Sequence, residues 1–419
     1  MKFLLLYKGD YASTLRGPEM RYFSLAKELV LMGHEVSLCG RTALPKCLPK
    51  NVSFVSVNRL KEVVKAFLYS DVILLHGGGP LVIFLAIVAG FFQKRIVLDS
   101  YVPHWIELDE LSKTSAPLQN IKILVKSYFN ALRGLFAGVA FDCIIAANRR
   151  QEDLYRGIVA PFSLTKDFFR ISLIPFGCSE PGEYSRERGR RLLSELADGE
   201  ISNNNFLIGW LGGTYGWFDL EGVLQEVSKA LTINESIRVV FFGVSQERKM
   251  QLLEHVAPDV RSHIIFLPWI DFSKRFEYWS GFDISLVWGG EGYENDYASR
   301  TRNFDCLTLG LPIVQNWDDE WGARLESTGA GRVADRSNLS DVLYELSISP
   351  EKVSEMRKSM LDIAPSFYWV RFAEKLIDVV SIPPMSFVRR FCGVLAFFFI
   401  LPASLVFFIY NLLLTLKKS

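Results

Sequence analysis

The most concentrated chemical signal in this 419-residue sequence is a pair of arginines close to the expected start of a helix. Residues 289–314 read GGEGYENDYASRTRNFDCLTLGLPIV, which predicts a helix over 299–309 that ends at Gly310. Arg300 and Arg302 would then lie at a helix N-terminus, where the macrodipole disfavours cations. A bound diphosphate would resolve this conflict, because arginine forks match phosphate oxygens and the helix start adds N–H donors.

A structural network is the alternative reading of the same arginines. Three acidic side chains lie just before them in the sequence, and any of these could neutralise the guanidinium groups: Glu291, Glu294 and Asp296. Both readings remain open at this level.

A glycine-rich turn is the second candidate. The run LGGTYG contains Gly212, Gly213 and Thr214, and it precedes a helix for which Asp219 is a plausible cap. Glycines let a ligand approach the bare backbone, and the helix start offers unpaired N–H groups to a phosphate. A tight turn that requires positive φ would leave the same pattern.

In the first half of the chain, His76 and His104 both follow expected strands. Either could accept or relay a proton near neutral pH, and structural roles are equally open. Glu107, three residues after His104, is a further candidate in the same loop. Gly17 and Arg21, which follow the first strand, could contact a phosphate, although Arg21 could also be a solvated helix residue.

Several classes of chemistry lack support. The sequence contains no Asp-x-Asp pair, no HExxH, no GxSxG and no dinucleotide fingerprint, so neither a metal nor a cofactor is expected. Arginines and helix N–H groups would meet the charge of a bound diphosphate instead. The formal net charge of +1 argues against nucleic acid as a partner. Six scattered cysteines without CxxC spacing predict reduced thiols in the cytosol.

Alternating strands and helices must position these residues. Short apolar runs at 2–7, 35–39, 52–57, 72–75, 95–98, 143–146 and 171–174 predict one parallel sheet. A second series predicts another, at 206–211, 238–242, 263–267, 284–287, 312–315 and 331–334. The predicted fold class is therefore α/β, with two Rossmann-like domains that face a cleft at the carboxyl ends of their strands. The expected domains are 1–185 and 205–365, divided by the polar stretch 179–205 and followed by an amphipathic helix at 366–380.

The C-terminal segment 387–416 predicts a hydrophobic membrane helix. Its 26 residues from 391 to 416 carry no charge and would extend about 39 Å as a helix, against a hydrocarbon core of roughly 30 Å. One transmembrane pass is expected, and Pro402 leaves a re-entrant hairpin open. Residues 121–140 could lie on an anionic membrane surface or form an ordinary amphipathic helix, whereas 81–92 are expected to be buried.

Together these features resemble glycosyltransferase family four, which has the GT-B fold. The stretches that carry the resemblance are GPEMRYFSLAKELVLMGHEV, WLGGTYGWFDL and SRTRNFDCLTLGLPIV, within residues 1–380, and they are similar to a branch of bacterial cell-surface polysaccharide glycosyltransferases. The resemblance implies a nucleotide-sugar donor in the second domain, a lipid-linked glycan acceptor in the first, and retaining transfer. It also implies an inner-membrane enzyme with cytoplasmic domains. A nucleotide-sugar epimerase of the same fold and a non-catalytic membrane-bound partner are the alternatives.

The resemblance also implies roles for individual residues. Relatives carry two acidic residues with seven residues between them, and Asp305 occupies the second position. The first falls on Tyr297, so Glu294 or Glu291 would serve through a shifted loop. His104 would be the catalytic histidine that relatives supply from the first domain. The acceptor would be bound by four further residues of that domain: Gly17, Arg21, His76 and Glu107.

Donor contacts follow from the same resemblance. Arg300, Thr301 and Arg302 would replace the arginine and lysine that many relatives carry after the glycine-rich turn. Trp269 and Ile270 occupy the place of nucleobase contacts, although a core-facing tryptophan would explain Trp269 equally well.

Overall fold

The computed structural model describes residues 1–11, 15–43, 48, 50–76, 80–101, 103–113, 117–160, 170–316 and 320–418. Cys47 lies outside these residues. The strands are β1 Lys2–Leu6, β2 Asp10–Tyr11, β3 Glu35–Gly40, β4 Thr42–Ala43, β5 Val52–Ser56, β6 Val72–Leu75, β7 Arg95–Asp99, β8 Cys143–Ala146, β9 Ile171–Leu173, β10 Phe206–Trp210, β11 Ile237–Phe242, β12 Ile264–Leu267, β13 Ile284–Val287, β14 Ile313–Gln315 and β15 Gly331–Val333.

The α-helices alternate with these strands. They are α1 Gly17–Leu31, α2 Leu60–Tyr69, α3 Pro80–Phe91, α4 His104–Lys113, α5 Pro117–Ala140, α6 Arg149–Val159, α7 Arg186–Leu196, α8 Leu220–Ile233, α9 Gln246–Glu254, α10 Arg275–Trp279, α11 Tyr293–Tyr297, α12 Thr301–Leu309, α13 Glu320–Thr328, α14 Leu339–Ser347, α15 Pro350–Ile363, α16 Trp369–Ser381 and α17 Phe387–Lys418.

The chain forms two compact units. Unit 1 comprises Met1–Phe176 and Trp369–Ser419, and its parallel seven-stranded sheet has the order β5-β3-β1-β6-β7-β8-β9. Unit 2 comprises Gly177–Tyr368, and its parallel six-stranded sheet has the order β12-β11-β10-β13-β14-β15. In both sheets the strand order reverses beside the first strand, which is the point where open α/β sheets bind ligands.

All thirteen strands of the two main sheets coincide with the predicted runs to within a residue at either end. Most of them are apolar and buried on both faces, so continuous apolar runs identify them well. Gly310 (φ +59°) ends α12 as predicted, in a conformation that disfavours other residues. Gly33 (φ +83°) follows α1 in the same way.

The predicted domain limits need two corrections. The polar stretch 179–205 is part of unit 2, because its helix α7 buries Arg190 against Asp283 at the start of β13. The late amphipathic helix α16 belongs to unit 1, where Trp369 packs edge-on against Phe176. Composition marked the polar surface of α7, but the buried ion pair decides which sheet the helix covers.

The C-terminal segment forms one continuous helix, α17, that passes through Pro402 without a hairpin turn. Within the described residues it is the one helix long and apolar enough to cross a membrane, over Phe387–Leu413. By length and composition this is weak support for membrane association.

Candidate functional site

The glycine-rich turn of unit 2 lies at the point where the strand order of the sheet reverses. It follows β10, and the loop that leads to α11 follows β13, the neighbouring strand. The two loops meet where the N–H of Gly290 donates to the carbonyl of Trp217 at 2.9 Å. The glycine-rich turn and the loop that precedes the two arginines therefore form one edge of the unit 2 sheet.

Arg302 lies directly beneath the glycine-rich turn. Its guanidinium packs over the rings of Trp210 and Phe218, 4.6 and 4.5 Å from their centroids, and Nη2 donates to the carbonyl of Gly213 at 3.3 Å. Gly212 has φ +140°, and a Cβ at this position would lie 3.1 Å from Nη2. Glycine is thus required here both by the backbone conformation and by the arginine below it.

The charge of Arg302 lacks a carboxylate partner among the described residues. The side chain is buried, and its Nη1 donates to no acceptor in the part of the chain that the structure describes. Burial, with a further contribution from Arg300, lowers the pKa of Arg302 to about 9. A buried cation without a counter-ion is costly, and an anion that reached the guanidinium would relieve this cost.

Arg300 is placed differently. It is buried, its Nη1 lies 3.1 Å from Oε2 of Glu294, and its Nη2 donates to Oδ1 of Asn295 at 2.6 Å. The structural network considered from the sequence therefore exists for Arg300, with Glu294 as the acid, whereas Arg302 forms no such pair. The neighbouring guanidinium of Arg300 adds to the positive potential at Arg302.

The start of α12 adds backbone donors to this edge. The helix begins at Thr301, its N-cap residue makes no side-chain capping hydrogen bond within the described residues, and the first turn contains no acidic residue. The first N–H groups of a helix lack intrahelical partners, and the helix dipole favours an anion next to them. Thr301 and Arg302 thus belong to one anion-seeking helix end.

Asp305 lies one turn further along α12. Its carboxylate pairs with Arg275 at 3.0 Å, whose guanidinium packs over Phe272 and Phe276. Glu294 and Asp305 are each bound to a different arginine, so the structure does not join them in one carboxylate pair. Their catalytic roles stay predictions.

Trp269 and Ile270 follow β12 at the same edge of the sheet. The side chain of Trp269 is 63% exposed and lies over Gly243, which has φ +63° and ends the adjacent strand β11. The alternative of a core-facing tryptophan is therefore wrong. An exposed ring over a glycine offers a flat apolar surface, which suits a nucleobase.

In unit 1 the structure brings His76, His104 and Glu107 into one hydrogen-bonded row. Nε2 of His76 lies 3.1 Å from Nε2 of His104, and Nδ1 of His104 lies 3.1 Å from Oε2 of Glu107. At the inner end, Nδ1 of His76 lies 2.8 Å from the carbonyl of Asp99. The row leads from the buried end of β7 to a side chain of Glu107 that is 30% exposed.

The hydrogen-bond acceptors along this row determine which ring nitrogens carry protons. A carbonyl only accepts, so Nδ1–H of His76 donates to Asp99. Burial, followed by the charge of His104, lowers the pKa of His76 well below its usual value, so His76 is neutral and its Nε2 accepts from His104. His104 then donates to the Glu107 carboxylate as well only if it carries both ring protons.

Arg21 is not available to bind a sugar acceptor. It is fully buried, its guanidinium forms a forked pair with Asp99 at 2.8 and 3.0 Å, and it also donates to the carbonyls of Ile174 and Pro175. Both sequence interpretations, an acceptor contact and a solvated residue, are corrected by this placement, because Arg21 is fully buried and these groups engage four of its five N–H donors. Gly17, the first residue of α1, stays a predicted contact.

Two residues beside this row, Glu19 and Tyr7, were not predicted as site residues from the sequence. Glu19 is buried in the first turn of α1, accepts from the N–H of Asp10 at 3.4 Å, and has its pKa raised chiefly by burial. The ring of Tyr7, at the end of β1, lies 5.2 Å from that of His76, and burial raises its pKa to about 12. The signal for Glu19 was present in the sequence, because it directly follows Pro18, and proline favours the first turn of a helix.

The two units have the fold of GT-B glycosyltransferases, which confirms the predicted fold class. No protein-family model and no curated protein matches the sequence. Among solved structures, WaaG, a glycosyltransferase involved in lipopolysaccharide biosynthesis, is 14% identical with a TM-score of 0.62, covering 91% of this chain and all of that one. HepE from Anabaena in complex with UDP-glucose is 13% identical with a TM-score of 0.62, covering 91% and 99%. Sucrose-phosphate synthase from Thermosynechococcus elongatus is 13% identical with a TM-score of 0.57, covering 90% and 97%.

Proposed function

We propose that this protein is a glycosyltransferase that moves a sugar from a nucleotide-sugar donor, bound by unit 2, to an acceptor bound by unit 1. One observation carries the proposal: Arg302 is buried beneath a glycine-rich turn, beside an uncapped helix start, without a carboxylate partner in the described residues. This arrangement suits the diphosphate of a nucleotide sugar. The fold shared with HepE, a protein solved in complex with UDP-glucose, gives further support.

The base and the diphosphate of the donor would bind at different positions along the edge of the unit 2 sheet. The base would stack on Trp269 beside Ile270, and the diphosphate would lie over Gly212, Gly213 and Thr214. The guanidinium of Arg302 would then stabilise the negative charge that grows on the leaving diphosphate. No metal is required in this proposal, because the arginine and the helix N–H groups supply the positive potential.

The row in unit 1 would act on the acceptor. Transfer breaks the bond between the anomeric carbon and a diphosphate oxygen and forms a bond to an acceptor hydroxyl, whose proton must leave. The His104–Glu107 pair is the proton-accepting group proposed here, since Glu107 is its exposed end and His76 fixes the ring of His104. Retention of the anomeric configuration and a lipid-linked glycan acceptor in surface polysaccharide synthesis complete the proposal.

The first test measures nucleotide binding. The protein in mild detergent with EDTA is unfolded thermally in the presence of UDP, GDP, CDP, dTDP or ADP, because selective binding to the folded state raises the midpoint. Stabilisation by one nucleotide would identify the donor class and support metal independence. No shift with any of them, confirmed by titration, would favour the non-catalytic partner.

The second test separates transfer from binding. Glu107→Gln should abolish sugar transfer from the matching labelled nucleotide sugar to a membrane lipid extract, while nucleotide affinity stays unchanged. Conversion of the nucleotide sugar in the absence of any acceptor would favour the epimerase, and NMR of the product would report the anomeric configuration.

A further inference from the structure

The C-terminal helix α17 packs along α5 of unit 1 for most of its length. Gly393 lies against the backbone of Val139, the ring of Phe397 is 4.9 Å from that of Phe136, and Phe408 stacks on Tyr128 at 4.2 Å. Positions rise along α17 as they fall along α5, so the two helices are antiparallel. The inward residues of α17 recur every three or four positions, as in a helix pair: Arg390, Val394, Phe397, Leu401, Ser404 and Phe408.

A buried ion pair fixes the start of α17. Arg390 is fully buried, and its Nη2 lies 3.0 Å from Oδ2 of Asp142, while Nη1 donates to the carbonyl of Ala140 at 2.6 Å. The same carboxylate accepts from the N–H of Ile96 on β7 at 2.7 Å. Gly90 on α3 makes room, since a Cβ there would lie 2.7 Å from the guanidinium. The helix is thus tied to the sheet of unit 1.

This packing is incompatible with a transmembrane path for α17. Phe397 belongs to the same apolar core as Leu4 and Leu98 of the sheet. If α17 crossed the bilayer in this position, α5 and the sheet beneath it would enter the hydrocarbon, where open sheet edges do not occur. Beyond Phe408 only residues 409–418 of the helix remain, and a span needs about 20 residues.

The outward face of α17 nevertheless requires an apolar environment. Of its fifteen exposed residues between 391 and 413, four are Cys392, Pro402, Ala403 and Asn411. The other eleven are large and apolar: Phe391, Leu395, Phe398, Phe399, Ile400, Leu405, Val406, Phe407, Ile409, Tyr410 and Leu413. No charged residue interrupts this face, whereas protein interfaces carry a polar rim. A lipid surface is the environment that fits an uninterrupted apolar face of this size.

Charge complementarity points to the same partner. The helices that pack together here, α3, α5 and α17, have 12, 24 and 32 residues and contain no Asp or Glu, although the whole chain contains 46. They carry seven Lys and Arg residues, of which Lys122 and Lys126 are exposed on α5 beside Phe129. Exposed lysines on helices without acidic residues are suited to anionic lipid headgroups, although α4, which also packs on α5, carries Glu107, Asp109 and Glu110.

We propose that α17 is an in-plane membrane anchor. It lies flat on unit 1 with its outward face inserted about 5–10 Å into one leaflet, and Lys122 and Lys126 contact anionic headgroups at the margin. Both ends of α17 stay on the side of the membrane that carries unit 1. The proposal differs from the single pass expected from the sequence. It does not depend on the proposed glycosyl transfer, and neither of its tests measures activity.

The decisive test is the side of the membrane on which the end of α17 lies. Lys418→Cys is introduced into a Cys47→Ser, Cys392→Ser background and labelled with a membrane-impermeant maleimide in sealed vesicles. Lys65→Cys, on the exposed face of α2, reports the side of unit 1. We expect both cysteines to be labelled from the same side before detergent is added. Labelling of Lys418→Cys from the opposite side would overturn the proposal.

A second test addresses the inserted face. Phe399→Glu with Phe407→Glu, at positions 83% and 69% exposed, should weaken binding of the purified chain to vesicles of phosphatidylcholine and phosphatidylglycerol at least tenfold. Met250→Glu, at a 63% exposed position on α9 of unit 2, adds a charge at a matched apolar site and should bind as wild type. Removing phosphatidylglycerol should also weaken wild-type binding. Equal binding by the double variant and wild type would contradict the proposed face.

Discussion

Replacing the guanidinium of Arg302 by an uncharged chain, Arg302→Met, separates a binding role of this residue from a structural one. Burial lowers the pKa of Arg302 from its usual range to about 9. A shift of this size corresponds to roughly 5 kcal/mol against the charged form. Because the folded pKa lies below the unfolded one, this cost is fully present below about pH 9 and is lost only as the pH rises toward the usual arginine pKa.

The free energy of unfolding of the ligand-free protein should therefore not fall in Arg302→Met. Methionine keeps apolar contact with Trp210 and Phe218, and the variant gives up one weak hydrogen bond to Gly213 together with the buried charge. Urea unfolding at pH 7.5 should give an equal or higher midpoint. The affinity for the nucleoside diphosphate that stabilises wild type should fall by about 10–150-fold in titration calorimetry, because a hydrogen bond to a charged group contributes about 1.5–3 kcal/mol.

Arg300→Met is the matched control, since it removes a neighbouring buried arginine that does have a partner. It leaves the Glu294 carboxylate buried without its cation and should lower the free energy of unfolding by about 3–5 kcal/mol. If Arg302→Met destabilised the protein as strongly as Arg300→Met and left nucleotide affinity unchanged, Arg302 would be a structural cation and the reasoning would be refuted.

Three further changes test other parts of the structure. Gly243→Ala should weaken nucleotide binding, because its Cβ would meet the Trp269 ring at 2.1 Å. Gly33→Ala is the control: it has a similar backbone strain but nothing within 4 Å of its Cβ, so it should keep wild-type affinity. Wild type should lose stability as the pH falls below about 6.5, since His76 stays neutral in the fold while its unfolded form takes up a proton. His76→Phe should flatten this loss in urea midpoints between pH 7.5 and 5.5, and an unchanged slope would exclude His76 as its origin. Arg21→Met should cost about 3–5 kcal/mol in urea unfolding by stranding a buried carboxylate, and wild-type stability would contradict its structural placement.

The arrangement of strands was available from the sequence because it depends on local patterns. Strands buried on both faces must be apolar throughout, so runs such as 72–75 and 143–146 were identified with their limits correct. Glycines with positive φ, such as Gly310, also act locally and mark a helix end wherever they occur. Because these signals are local, the sequence also predicted the start of α12 near Arg300 and Arg302.

Pairing between distant residues was decided only by the tertiary structure. The sequence offered carboxylates for both arginines near α12, but Glu294 reaches Arg300 and leaves Arg302 alone. Arg21 looked accessible on its helix, yet it pairs with Asp99, 78 positions away. Such contacts depend on how helices are set on the sheet, which periodicity does not encode.

The C-terminal helix shows the same division. By itself the sequence determined that residues 391–416 are uncharged and helical, and therefore suited to lipid. Hydropathy counts apolar residues without regard to what each one contacts, so it could not distinguish a helix surrounded by lipid from one that lies on a domain. The buried pair of Arg390 with Asp142, 248 positions apart, and the packing of Phe397 in the core of unit 1 decided that α17 lies along α5.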